Sequence, residues 1–400
     1  MRILLFSPLA HLDPPSGDIS YTEALLAEPP PGVEYVTYAH AIDQGLMTVR
    51  GRRPAHGTFG LTDLTVLGVR AGERALRRRG MMFREPWWFV SIKPGAFDLV
   101  HQHLFAVRQI GTHIPVVSTA GYPLSVRYRD AEHWSQWRVS QAVVLEKTLS
   151  RLLRLHNPWL IGRPGNVLSG YSLKFWAFLV GHGAAPASTR VIGTGLQDLH
   201  LPPKQTNGTT LAFIGRDFDR KGGIEVLRAF RILKGRHPSL QLIVVTTIEN
   251  IAAHSIVGDG ITVLADLPRE ELLHDYLPHI DVLVSPTSSD CGAPYAILEA
   301  LQSGACVVLS KNAWLDDRLV EPAIRRAGDG VGALVAELED LLQAPNLERA
   351  QAAARPLWLK AFSMTALHVD LLAAYVAVAP MHPVGVTKTT SAMSKVLSRP

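Results

Sequence analysis

Short apolar runs alternate with helix-period segments along most of this chain, and they do so in two successive sets. "RILLFS", "VEYVTY", "FDLVHQH" and "IPVVSTA" make up the first set. "TLAFIG", "LQLIVVTT", "GITVLAD", "DVLVSP" and "ACVVLS" make up the second. Near-continuous apolar runs fit strands buried on both faces, which is the situation of a parallel sheet covered by helices. Segments such as "GGIEVLRAFRILKGRH" and "PREELLHDYLPHI" supply the helices. A chain of 400 residues exceeds one ordinary core, and 47% hydrophobic residues suffice for two. The pattern predicts two doubly wound α/β domains that bind ligands at the carboxyl ends of their strands. The polar, Pro-containing stretch "LQDLHLPPKQTNGT" (196–209) marks the boundary, giving domains over 1–196 and 205–362. Residues 381–400 show no sustained period and read as a mobile tail.

Composition narrows the partners. The only cysteines are Cys291 and Cys306, too few for a disulfide framework or a cysteine zinc site, and they fit a reducing compartment. No stretch of about 18 apolar residues suggests a membrane span, and "MRILLFSPLAHLD" does not read as a signal peptide. A cytoplasmic location is expected. The net charge of +5 favours anionic partners. Arg70, Arg74, Arg77, Arg78, Arg79 and Arg84 precede Trp87–Trp88 in "GVRAGERALRRRGMMFREPWWF" (68–89). Two readings fit this segment. It is either a peripheral surface for anionic lipid or an anionic acceptor, or a solvated helix face followed by a buried aromatic turn. No nucleic-acid motif accompanies the arginines, so no nucleic-acid partner is expected.

Two stretches carry candidate chemistry. In "AFIGRDFDRKGGIEVLRAF" (212–230) a strand ends at Gly215, and a loop bearing Arg216 and Lys221 opens a helix. Cations at a strand end beside a helix N-terminus suit a diphosphate. Asp217 and Asp219 in that loop look like a metal-binding D-x-D, but pairing with Arg216, Arg220 or Lys221, or capping the next helix, fits them better. In "SPTSSDCGAPYAILEALQSG" (285–304) a turn at Gly292 offers backbone amides to an anion. Glu299 then falls about two turns into a helix beginning near Ala293, where a carboxylate can accept ribose hydroxyls.

These stretches, taken with "RVIGTGL" (190–196) and "FSMTALHVDLLAAY" (362–375), stand in the order found in retaining GT-B glycosyltransferases of family 4. "FIGRDFDRKGG" resembles that family's G-R-x(n)-K-G loop, and residues 282–310 resemble its E-G-F-G-x-x-x-x-E signature. The resemblance covers most of 165–378 and implies a GT-B fold of two Rossmann-like domains facing a cleft. It implies a nucleoside-diphosphate-sugar donor, transfer to a hydroxyl of a sugar or lipid-linked acceptor with retention, and no cofactor or metal. The last helix, about 363–378, is expected to cross back to the first domain. Arg216 and Lys221 would grip the diphosphate, assisted by Gly215, Gly292, Ala293, Pro294 and Tyr295, and Glu299 would hold the ribose. The first acid of the signature falls on Cys291, with Asp290 next to it as a candidate replacement; Pro294 replaces a loop glycine and Thr194 the usual asparagine. "SGDIS" (16–20) resembles the glycine loop over the donor phosphates, through Gly17. "FDLVHQH" resembles a strand end that would point His103 at the transferred sugar, with His101 structural. The competing reading is a scaffold that binds a nucleotide sugar or a partner without transfer.

Overall fold

The computed structural model describes residues 1–9, 17–51, 60–83, 87–111, 113–120, 125, 128–129, 133–156, 166–287, 290–311 and 313–379. The first unit supplies β1 (Arg2–Phe6), β2 (Glu34–Thr37), β3 (Met47–Val49), β4 (Trp87–Ile92), β5 (Leu99–His103), β6 (Ala106–Gln109), β7 (Val116–Ala120), β8 (Asn166–Gly170) and β9 (Thr189–Val191). Six of these form an all-parallel sheet in the order β2-β1-β5-β7-β8-β9, and β3-β4-β6 form a small mixed sheet beside it. The second unit supplies β10 (Thr210–Ile214), β11 (Gln241–Thr246), β12 (Ile261–Ala265), β13 (Val282–Ser285), β14 (Cys291–Gly292), β15 (Cys306–Ser310), β16 (Trp314–Leu315) and β17 (Ile324–Ala327). Its main sheet is also parallel throughout, in the order β12-β11-β10-β13-β15-β17. Central strands β5, β7 and β15 are buried at every residue, whereas edge strand β12 is only half-buried. Continuous apolar runs in the sequence correspond to strands covered on both faces.

Both strand orders reverse once. In the first sheet the chain steps outward from β1 to β2 and later returns to lay β5 on the other side of β1. In the second it runs from β10 to β11 and β12, then places β13 on the far side of β10. The loops leaving the two strands at such a reversal diverge and leave a crevice beyond their carboxyl ends. In the second unit those loops are 215–222 and 286–294. In the first, the strands at the reversal are β1 and β5, which end at Phe6 and His103.

Two chain crossings join the units side by side, with Leu196 donating its amide to the Phe362 carbonyl at 2.8 Å. After that crossing, helix Met364–Val378 packs Leu367, Leu371, Ala374 and Tyr375 against Ile3, Leu5, Tyr21 and Val117 of the first unit. Its start is capped by Ser363, whose hydroxyl accepts from the Ala366 amide.

Several local expectations are corrected. "VEYVTY" ends as a strand at Thr37, because Thr37 caps a helix over Tyr38–Asp43. "PREELLHDYLPHI" is not one regular helix. It passes from an α turn (Arg269–Glu271) through a π turn (Leu272–Tyr276) to a 3₁₀ turn (Leu277–His279), since Pro278 lacks the amide that a continuing helix needs. Trp87 and Trp88 open β4 rather than forming a turn. The tail, 381–400, lies outside the described residues. No helix among the described residues is long and apolar enough to cross a membrane.

Candidate active site

The loop after β10 is built to tighten onto the helix that follows. Phe218 is buried under it and its carbonyl accepts the Gly223 amide, while the Lys221 amide reaches the Asp217 carbonyl. Gly222 sits at φ +80° as the cap of helix Gly223–Arg236, and a Cβ there would lie 2.8 Å from Pro286 of the neighbouring loop. Glycine is required at this position on both counts, backbone conformation and space. Gly215 is equally close-packed, against the Lys221 stem. The loop acids serve its cations. Asp217 accepts from Arg220 Nε at 2.5 Å, and Asp219 lies 3.1 Å from His254. Among the described residues no group of three or more His, Cys, Asp or Glu side chains is placed to share a metal ion.

Asp290 ties the two crevice loops together. Its carboxylate is buried, with Oδ1 accepting from Arg220 Nη1 at 2.8 Å and Oδ2 lying 3.1 Å from Lys221 Nζ. Burial pushes the Asp290 pKa up, but Lys221 and Arg220 outweigh it and hold the group below the usual carboxylate range. The carboxylate in turn raises the pKa of Arg220 against the effect of burial. Sequence reasoning singled out Lys221 and Asp290 but not Arg220, although Arg220 adjoins Lys221 in the same loop. Arg216 is exposed and makes no ion pair among the described residues. Its carbonyl accepts from Asn250 Nδ2 at 2.5 Å, which fixes the start of the loop from the neighbouring helix Ile248–His254.

The turn beyond Asp290 lies against the first unit. The side chain of Cys291 lies outside the described residues; its backbone and that of Gly292 form β14, paired with β16. Gly292 has φ +62°, and a Cβ there would lie 2.7–2.8 Å from Tyr171. The Ala293 amide donates to Thr194 Oγ1 at 3.5 Å, and the Tyr295 hydroxyl donates to the Gly195 carbonyl at 3.3 Å. Thr194, Ala293 and Tyr295 therefore couple the turn to the interdomain crossing. Pro294 caps helix Tyr295–Ser303, so Glu299 lies about one turn into the helix, not two. Glu299 is buried, and its Oε1 accepts from half-exposed Arg269 at 2.6 and 3.0 Å. Arg269, too, was not singled out from the sequence.

On the first-unit side, Gly17 begins helix Gly17–Ala27, and the preceding residues 10–16 lie outside the described residues. His103 is fully buried at the end of β5. Its Nδ1 is 2.8 Å from Thr119 Oγ1 and 3.3 Å from the Tyr171 hydroxyl, and its ring lies 4.6 Å from that of Tyr21. A hydrogen-bonded chain continues inward from Thr119 to His101 and on to Tyr375 and Tyr35. Burial, then the neighbouring His103, lowers the His101 pKa to about 3, so His101 is a neutral structural link.

The residues converge as a line across the cleft: loop 215–222 on Asp290, the following turn on Tyr171, and Tyr171 on His103. Residues 208–344 match the family described as Glycosyl transferases group 1. Solved glycosyltransferases superimpose over nearly the whole chain. A sucrose-phosphate synthase from Thermosynechococcus elongatus aligns with TM-score 0.59 and 16% identity, over 94% of this chain and 98% of that one. HepE from Anabaena, in complex with UDP and glucose, aligns with TM-score 0.57 and 12% identity, over 93% and 98%. A glycosyltransferase from Rickettsia africae aligns with TM-score 0.53 and 13% identity, over 94% and 98%.

The fold is GT-B. The family match falls on its second Rossmann-like unit. A search of curated proteins finds no significant match. Within the GT-B frame, Arg216, Arg220, Lys221, Asp290 and Glu299 all lie on the second unit, and Tyr171, hydrogen-bonded to buried His103, meets Gly292 from the first.

Proposed function

We propose that this protein transfers a sugar from a nucleoside-diphosphate donor to an acceptor hydroxyl, with retention and without a metal. The observation that carries the reading is the pair Arg220 and Lys221. They stand where β10 meets the N-terminus of helix Gly223–Arg236, held together by buried Asp290. Two cations and a helix N-terminus at a topological switch point form a site for a diphosphate, and exposed Arg216 adds a third cation at the loop's start. As the bond from the anomeric carbon to the diphosphate oxygen breaks, these groups stabilise the developing charge. The acceptor oxygen bonds the anomeric carbon on the same face, and its proton passes to the departing diphosphate. Glu299 offers a carboxylate to the ribose hydroxyls. His103 is a positioning residue, backing Tyr171 where it meets Gly292. Relatives in complex with UDP and with UDP-glucose make uridine donors the first to test. Two cysteines in 400 residues, Cys306 being buried with its thiol pKa pushed up to about 12, fit a cytoplasmic location.

The competing reading, binding without transfer, has its own observation. Arg220 and Lys221 are both engaged by Asp290, and Glu299 is engaged by Arg269. Incubation with a panel of nucleotide sugars, with and without sugar and lipid acceptors, separates the two. Transfer, or slow donor hydrolysis, supports the enzyme; donor binding with neither supports the scaffold. Glu299→Gln should weaken UDP binding by about 1.5–3 kcal/mol, the range for a hydrogen bond to a charged group, while leaving inorganic pyrophosphate binding unchanged. Equal loss for both ligands would remove the ribose role.

A further inference from the structure

Helix Leu61–Arg78 presents an unusual outer face. By helical spacing Leu61, Leu64, Gly68, Ala71, Ala75 and Arg78 share one side, and all are exposed. Leu61 is 81% and Leu64 57% exposed, with Leu67, Arg74, Arg79 and Met81 exposed alongside. The acids of this helix point the other way. Asp63 is buried against Arg50, and Glu73 is buried against Arg77. A second helix, Gln136–Leu152, meets the end of the first, because Arg138 donates to the Gly80 carbonyl at 3.1 Å. Its only acid, Glu146, is buried too, accepting from Arg77 and from the Phe83 amide, while neighbouring Trp137 is 73% exposed. Neither helix has an exposed acid.

The basic and aromatic segment of the sequence is thus divided by the fold. Arg77, Arg70 and Trp87 turn inward, and Trp88 packs on Phe6, Tyr38 and Phe105. Arg84 lies outside the described residues. What remains outside is leucines, small residues, an adjoining tryptophan and the arginines Arg74, Arg78 and Arg79.

We propose that this face docks on an anionic lipid surface, with helix Leu61–Arg78 lying in the plane of the headgroups. Its leucines would enter the acyl boundary, its arginines would meet the phosphates, and Trp137 would sit at the interface. A helix of 18 residues is about 27 Å long, enough for a flat contact of several headgroups. Two helices with exposed arginines and, among the described residues, no exposed acid match an anionic bilayer better than a neutral one. The inference goes beyond sugar transfer and is tested without it.

Flotation with vesicles of phosphatidylcholine, alone or with a third phosphatidylglycerol, gives the readout. The protein should float with the anionic vesicles only. Each arginine near an anionic surface is worth about fivefold in binding. The triple variant Arg74→Gln, Arg78→Gln, Arg79→Gln should therefore bind on the order of a hundredfold more weakly, with unchanged thermal unfolding and UDP binding. Leu61→Ser with Leu64→Ser, and separately Trp137→Ser, should weaken binding while retaining the salt dependence. Failure of the unaltered protein to float with anionic vesicles overturns the proposal, as does a triple variant that floats equally well. A concentration-dependent dimer dissolved by the leucine substitutions, or RNA retention that needs the arginines but not the leucines, overturns it in favour of those partners.

Discussion

Replacing Asp290 by Asn tests the electrostatic core of the site. The substitution keeps the shape and removes the charge shared by Arg220 at 2.8 Å and Lys221 at 3.1 Å. Breaking a buried pair from one side costs about 3–5 kcal/mol. Here the cations keep 26% and 21% of their exposure, and Arg220 retains Asp217, so about 2 kcal/mol is expected. For a domain of this size that lowers the melting temperature by roughly 4–8 °C. The effect on a diphosphate has the opposite sign. A phosphate on the far side of the cations would sit about 6 Å from the carboxylate, where an effective dielectric of 20 gives about 3 kcal/mol of repulsion per unit charge. Screening at a partly open site reduces this to about 1 kcal/mol, or roughly fivefold in affinity. Asp290→Asn should therefore melt earlier yet bind UDP about fivefold more tightly, with a steeper salt dependence. Calorimetric titration alongside thermal unfolding reads both. Weaker UDP binding in the variant would refute the reasoning, because it would mean that Asp290 touches the ligand or that the cations fail without it.

Two further outcomes follow from the geometry. Gly292→Ala places a methyl group against Tyr171 at a φ that L-residues rarely adopt, and urea unfolding should show a loss of about 1–3 kcal/mol. In a double-mutant cycle with Tyr171→Ala, the steric part should make the two losses less than additive, and full additivity would contradict the contact. His101 stays neutral in the folded protein down to about pH 3 but protonates near 6.5 when unfolded. Its contribution is therefore complete above pH 6.5 and is lost as the pH falls towards 3, about 1.4 kcal/mol per unit across that window. His101→Gln should flatten the acid limb of a stability-against-pH curve, and an unchanged slope would assign the acid lability elsewhere.

The strands of both sheets were legible because parallel strands covered on two faces leave uninterrupted apolar runs, as in β5, β7 and β15. Segments whose shape depends on one residue were less so. Pro278 broke an expected helix into three turn types, and Pro294 moved the start of the Glu299 helix by two residues. Local order also gave the loop that bears Lys221 and the turn that bears Asp290, since each is a strand end followed by a helix start.

The sequence by itself determined two parallel α/β units, the cation-bearing loop at 215–222 and the acids at 290 and 299. Only the tertiary structure decided which charges meet. Asp290 finds Arg220 across 70 residues, because the return of β13 beside β10 brings their loops to one crevice, and Arg269 finds Glu299 across 30. It also decided that the acids of two basic helices are turned inward, since each meets a backbone amide from outside its own helix: Asp63 that of Gly51, Glu73 that of Trp87 and Glu146 that of Phe83. Short-range pattern encodes which residues an element carries. Strand order and packing decide which of those residues face one another and which face solvent.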